Sequence, residues 1–266
     1  MGSLSNYAEN EILDHVLGTG AYTSPTTVYL ALLTATADDT DTGSTITEAT
    51  YTGYSRKAIT FGAAASRVIT QNALVTFDAC TAGSSTCTHY ALCDASTAGN
   101  MLAWGALSAS QEVVSGNTPS VASGQTTVTF STGGVSDYLA NALLDHLFRN
   151  TTYTQPTVYA GLATATISDA STGASITEVA NANGYDREAV ATWDAASGGA
   201  SANTGTITFG PPSGGAWGTV TSSFLADSLT EGAGNILFYA NDTTDQAVAD
   251  GDTVTYAAGA WDVTLD

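Results

Sequence analysis

Asn10-Glu11-Ile12-Leu13-Asp14-His15-Val16-Leu17 is written again 131 residues later as Asn141-Ala142-Leu143-Leu144-Asp145-His146-Leu147-Phe148. In each stretch the apolar residues recur at three- and four-residue spacing, the mark of an amphipathic helix with one buried face. Ser5 and Ser136 stand where an N-cap belongs and Gly18 where the first helix would stop, so the pattern predicts helices from about Ser5 to Leu17 and from Ser136 to Phe148.

Working outward, the two halves keep matching. Tyr22-Thr23-Ser24-Pro25 falls on Tyr153-Thr154-Gln155-Pro156, Ile46-Thr47-Glu48 on Ile176-Thr177-Glu178, and Gly53-Tyr54-Ser55-Arg56 on Gly184-Tyr185-Asp186-Arg187. Gly99-Asn100-Met101-Leu102 then matches Gly234-Asn235-Ile236-Leu237, with the offset grown by loop insertions alone. The chain reads as two homologous domains, 1–131 and 132–266, joined near Ser131-Thr132-Gly133-Gly134. After each helix come about seven short segments rich in Thr, Val, Ile and Tyr, among them Thr27 to Thr34, Thr88 to Cys93 and Met101 to Leu107 in the first copy. Val220 to Ala226 and Ile236 to Tyr239 are examples in the second. Turn-rich joints and no βαβ rhythm predict a mainly β fold: two tandem antiparallel β-sandwich or jelly-roll-like domains, each with one N-terminal α-helix.

Composition narrows the function. Five Lys and Arg face 25 Asp and Glu, a formal net charge of −20, which would repel a phosphate backbone, so nucleic acid is not an expected partner. Only 11% of residues are charged, and Thr, Ser, Ala and Gly fill the surface instead. No apolar run reaches a membrane span, and Met1-Gly2-Ser3-Leu4-Ser5 has neither the basic stretch nor the apolar core of a signal peptide; the expectation is a soluble chain without a membrane partner, made in the cytoplasm.

Candidate sites are few. Cys80, Cys87 and Cys93 fall within fourteen residues, too clustered for a disulfide framework, so any bond among them is expected to stay local to the first copy. With His89 they would make a zinc set, but the spacing lacks the C-x2-C knuckle. His15 and His146 each follow an Asp on a helix, where adjacent side chains diverge by about 100°, so a local hydrogen bond is expected of each imidazole rather than metal or acid–base work. The Asp38-Asp39-Thr40-Asp41 run lacks the Gly and distal Glu of a calcium loop, and Asn241 to Asp245 reads as another solvated acidic loop. Arg56 and Arg187 recur after Gly-Tyr with Glu48 and Glu178 just upstream, which predicts an internal Arg–Glu pair in each copy. Nucleophile elbows, HExxH, phosphate loops and dinucleotide fingerprints are absent, so no catalytic residue, metal or cofactor is expected, and an enzyme is the least favoured class.

Beyond the helix, P-T-V-Y-x-x-L-x-T (Pro156 to Thr164), G-Y-x-R-x-A-V (Gly184 to Val190), N-T-G-T-I-T-F (Asn203 to Phe209), W-G-T-V-T (Trp217 to Thr221), G-N-I-L-F (Gly234 to Phe238) and the close from Gly251 to Leu265 resemble a family of tailed-bacteriophage virion proteins, described variously as head-decoration or tail-fibre-like. The first copy departs at Cys80 to Thr88 and at Gly116-Asn117-Thr118-Pro119. The resemblance implies a non-enzymatic virion component. With no heptads or extended repeats for a fibre shaft, capsid decoration on the outer head is the expected role, bound to the major capsid protein. A tail fibre or other tail component, with host-carbohydrate contact through Trp193, Trp217 and Trp261, is the alternative. The helix residues Leu13, Val16, Leu17, Leu144, Leu147 and Phe148 are expected to be buried between domains or chains, as the glue of a homotrimer.

Overall fold

Two serines open the two helices of the computed structural model, which describes residues 3–265, the side chains of Asp242 and Thr243 excepted. Met1, Gly2 and Asp266, included in the expected domain bounds and, for the first two, in the N-terminal reading, lie outside the described residues. Ser5 Oγ accepts from the Ala8 amide (3.3 Å) at the start of α1 (Asn6–Leu17), and Gly18 closes it with φ +89° and its N–H on the Asp14 carbonyl. Ser136 Oγ does the same for α2 (Asp137–Arg149), accepting from the Leu139 amide at 3.1 Å, and Asn150 ends the helix in the left-handed region. Each cap serine also donates across to its own sheet, Ser5 to the Met101 carbonyl and Ser136 to the Ile236 carbonyl at 2.5 Å. One hydroxyl thus terminates the helix and fixes it to the sheet.

The first copy contains β1 (Ser3–Leu4), β2 (Val28–Leu33), β3 (Lys57–Ile59), β4 (Val68–Thr70), β5 (Val75–Thr76), β6 (Ser84–Cys93), β7 (Met101–Val114), β8 (Ser120–Val121) and β9 (Thr127–Thr129). The second contains β10 (Tyr159–Ala163), β11 (Glu188–Ala189), β12 (Ala200–Ala202), β13 (Ile207–Phe209), β14 (Gly218–Ala226), β15 (Ile236–Val248), β16 (Val254–Tyr256) and β17 (Asp262–Thr264). The main sheets run β1-β7-β6-β2-β3 and β11-β10-β14-β15, the same order in both copies, with the bridge between Val135 and Phe238 standing where β1 meets β7. The ribbons repeat too: β4-β9 and β5-β8 correspond to β12-β17 and β13-β16. All these pairs are antiparallel.

Each main sheet is buried on both faces because its strands alternate between two clusters. Leu30, Leu32, Leu92 and Leu102 join the large core with α1, while Ala31, Leu33, Ala91 and Met101 point the other way, under the loop that carries Ala37 and Ile46. Ala163, Phe224, Ala226 and Ile236 repeat that smaller cluster in the second copy. The ribbons contribute Ile69, Val75, Phe77 and Val128 to the large core, so the layer facing the main sheet is a pair of two-stranded ribbons interrupted by turns. Mainly β architecture in two tandem copies, each opened by a helix, is what the patterning predicts.

Two differences follow from pairing rather than composition. β6 begins at Ser84 and β7 runs to Val114, longer than the Thr88 to Cys93 and Met101 to Leu107 segments, because ladder bonds to a neighbour carry Ser- and Gln-rich sequence that alone reads as loop. For the same reason Asn241 to Asp245 lies within β15, whose register with β14 shifts between Val220 and Ser222; the side chains of Asp242 and Thr243 lie outside the described residues.

Candidate functional site

The large core is continuous through both copies, and the helices make it so. α1 lies between β7 of its own copy and β12 of the other, while α2 lies between β15 and β4. Polar residues repeated on the two helices then reach loops of the opposite copy. Asn10 Oδ1 accepts from the Gly199 amide at 2.9 Å and Asp14 Oδ1 from the Ala196 amide at 2.7 Å. Their counterparts repeat the geometry in reverse: Asn141 Oδ1 accepts from the Arg67 amide at 2.9 Å and Asp145 Oδ1 from the Ala64 amide at 2.8 Å. Each helix therefore caps a turn of the other copy, and a pseudo-twofold axis relates the two clasps. Both turns bend through left-handed residues, Ser66 and Arg67 (φ 50° and 66°) in one copy and Gly198 and Gly199 (φ 60° and 73°) in the other, which directs their amides at the helix.

The histidines sit between the clasps. Their rings stack with centroids 5.0 Å apart, and they are 7% and 4% exposed. The Tyr22 amide donates to His15 Nδ1 (3.2 Å), so Nε2 carries the proton and donates to the Tyr153 carbonyl of the other copy at 2.7 Å. On the opposite side the Tyr153 amide donates to His146 Nδ1 (3.3 Å), and Ser24 of the first copy places its hydroxyl 2.8 Å from that nitrogen. The local hydrogen bond expected of each imidazole is present, to the amide of Tyr22 or Tyr153 seven residues on, and each ring adds a bond to the other copy, which sequence cannot show because the partners lie 138 and 122 residues away. Arg67, unremarked in the sequence, completes the seam. Buried at 4% exposure, it donates to the carbonyls of Ser131 and Val135 (the latter at 2.6 Å) and lies 3.4 Å from Asp137, so it grips the segment connecting the copies.

The six apolar helix residues, Leu13, Val16, Leu17, Leu144, Leu147 and Phe148, are all at most 5% exposed within a single chain, and Phe148 packs on Phe61 of the first copy with ring centroids 5.5 Å apart. Of the two placements expected, between domains or between chains, the first is what the chain shows: the opposite copy and their own sheets cover them.

Arg56 and Arg187 each fork onto the upstream glutamate. Arg187 Nε and Nη2 donate to the two Glu178 oxygens at 2.7 and 2.8 Å, and its Nη1 donates to the carbonyls of Ser228 and Ala233. Arg56 Nε and Nη2 donate to Glu48 Oε1, at 3.1 and 2.8 Å, with Nη1 on the Ala95 and Ala98 carbonyls. Tyr54 and Tyr185 finish the motif, each donating to the same glutamate (2.6 and 3.1 Å) while accepting an amide from β2 or β10. The Gly-Tyr-x-Arg pattern thus ties three loops to the sheet.

The tryptophans correct the carbohydrate reading. Trp193, Trp217 and Trp261 are 6%, 7% and 8% exposed. Trp217 packs edge-on against Tyr185 with its Nε1 on the Asn183 carbonyl (3.2 Å), and Trp261 stacks on Tyr256 with its Nε1 on Ser223 Oγ (3.3 Å). Rings used to fill a core cannot serve as an open platform for sugars. A cleft of about 250 Å³ beside Gly133, Phe224, Tyr239 and Trp261 has, among the described residues, Tyr239 and Asp262 as its titratable lining groups.

The three cysteines are free and buried. A register shift between Cys87 and His89 turns β6 over, so Cys87 enters the large core, which Cys80 also joins, and Cys93 the smaller cluster on the other face. They cannot converge on one ion, and among the described residues no group of three or more His, Cys, Asp or Glu is placed to hold a metal. Burial pushes the Cys93 thiol up to about 12. In the acidic run, Asp38 and Asp41 cap their own turn: Asp41 Oδ2 accepts from the Asp38 amide (2.8 Å) and Asp38 Oδ1 from the Thr40 amide (3.2 Å). No helix among the described residues is long and apolar enough to cross a membrane.

A chain of two paired β repeats, whose distinctive side chains build clasps and braces, belongs with structural proteins. A family model described as Podophage GP4 fiber I protein gp80 matches residues 3–129 and again residues 134–264. The chain belongs to this family, carrying its unit twice, and is a phage virion structural protein. No curated protein matches it.

Proposed function

We propose that the chain is a non-enzymatic, fibre-associated component of a tailed-phage virion. The family match, made twice along one chain, carries this reading, because the family is described as a fiber protein. Charge supports it. The five Lys and Arg are all engaged in ion pairs within the chain, as Arg56–Glu48, Lys57–Asp78, Arg67–Asp137, Arg149–Asp145 and Arg187–Glu178, leaving an acidic, hydroxyl-rich exterior that suits protein contacts and repels nucleic acid. Without extended repeats, the chain is a compact joint or knob on a fibre rather than its shaft. A homotrimer would have to assemble through surfaces other than the apolar helix stripes, which are enclosed.

The test is to dissociate purified virions, separate heads from tails and quantify the chain by mass spectrometry in each fraction. Recovery with tails and fibres is expected. Recovery on heads, in stoichiometry with the major capsid protein, would overturn the placement in favour of capsid decoration, and absence from both would overturn a virion role altogether.

A further inference from the structure

We propose that the seam between the copies is a self-recognition interface closed in cis: each repeat binds the other through its helix, the two form one cooperative unit, and the linker is not what holds them together. Four observations carry this. Reciprocal clasps, Asn10 and Asp14 on one side and Asn141 and Asp145 on the other, repeat with the same partners related by a twofold axis, which is the arrangement of an isologous dimer. At the axis, equivalent residues stack on each other as His15 and His146, as symmetric interfaces require. Each helix has its apolar stripe covered partly by the other copy, so neither half has a closed core alone. The two corners have also diverged. The α1 corner sets Glu9 against Gly199, where any side chain would collide with the Glu9 carboxylate and the Leu265 carbonyl, whereas the equivalent positions of the α2 corner hold Ala140 and Arg67. The first copy thus presents Glu9 and Arg67 where the second presents Ala140 and Gly199, and the partner each surface fits is the other repeat.

The test uses the full chain with a protease site inserted after Thr132. After cleavage, the two pieces are expected to co-elute at the volume of the intact chain. A second measurement follows urea unfolding of the uncut protein carrying Trp104→Phe, in which the fluorescence comes from Trp193, Trp217 and Trp261 of the second copy while circular dichroism reports both copies. One shared midpoint is expected, and Asp14→Ala, a change in the first copy, should lower the fluorescence midpoint of the second. Separate elution of the cleaved pieces, two distinct midpoints, or an unmoved second-copy midpoint in the Asp14 variant would each overturn the proposal.

Discussion

His15 of the first copy and His146 of the second stack with ring planes 24° apart, each ring held by the backbone amide of a tyrosine seven residues further along its own chain segment. This places two imidazoles, flanked by the buried rings of Tyr22 and Tyr153, on the axis that relates the repeats. His146 is at ease in this seam only while uncharged, because a buried cation there loses its solvation.

Acid should therefore loosen the seam. Burial lowers the His146 pKa below the ordinary imidazole value, with His15 adding to the shift and backbone bonds at Thr151 and Tyr22 opposing it. The unfolded chain then binds the proton more readily, so the contribution of this group is full above about pH 6.5 and is lost as pH falls toward the lower folded value. Urea midpoints measured from pH 7.5 to 5 should fall, and the stability advantage of the wild type over His146→Gln should shrink across that window. An advantage that stays constant or widens would refute the assignment.

The two arginine braces should differ in cost. Side chains of Arg187 and Glu178 are 0% and 3% exposed, whereas Arg56 faces a Glu48 that is 24% exposed. Arg187→Ala leaves a buried, uncompensated carboxylate and should cost about 3–5 kcal/mol. Water can reach Glu48, so Arg56→Ala should cost about 1–3 kcal/mol. Chemical unfolding of the two variants gives the comparison, and Arg187→Lys should recover little because an ammonium cannot fork onto both oxygens.

Gly43 and Gly173 hold equivalent places where a loop crosses the backbone. A methyl group at either would land on a carbonyl, that of Ala98 or that of Ala233, and those same carbonyls accept from Arg56 and Arg187. Each Gly→Ala change should cost about 1–3 kcal/mol by forcing the loop off its arginine. Equal losses in both copies, read by thermal unfolding, are expected.

What was legible in the sequence follows from the range of each interaction. Helices announced themselves through Ser5, Gly18 and Ser136 because capping is local, and the Arg–Glu braces through a motif repeated within about ten residues. The contact of each helix with the other copy was not legible, since the amides of Ala196 and Gly199 lie 182 and 189 residues from their acceptors. A trace of it existed: Asn10 and Asp14 recur as Asn141 and Asp145 beside an apolar stripe, and polar identity on a buried helix points to a partner. Trp193, Trp217 and Trp261 misled because an aromatic residue carries no sign of whether its ring fills a core or faces water. Short β4 and β12 escaped because three residues cannot display alternation, and pairing with the distant β9 and β17, together with contact with the helices, sustains them.

The pairing of the repeats is tested most directly by nuclear Overhauser contacts between the ring protons of His15 and His146, assigned by Gln substitution of each in turn. The account predicts cross-peaks between the two rings, together with contacts from His15 to Tyr153, in the intact chain at neutral pH. Two imidazoles that show contacts only within their own repeats would contradict it.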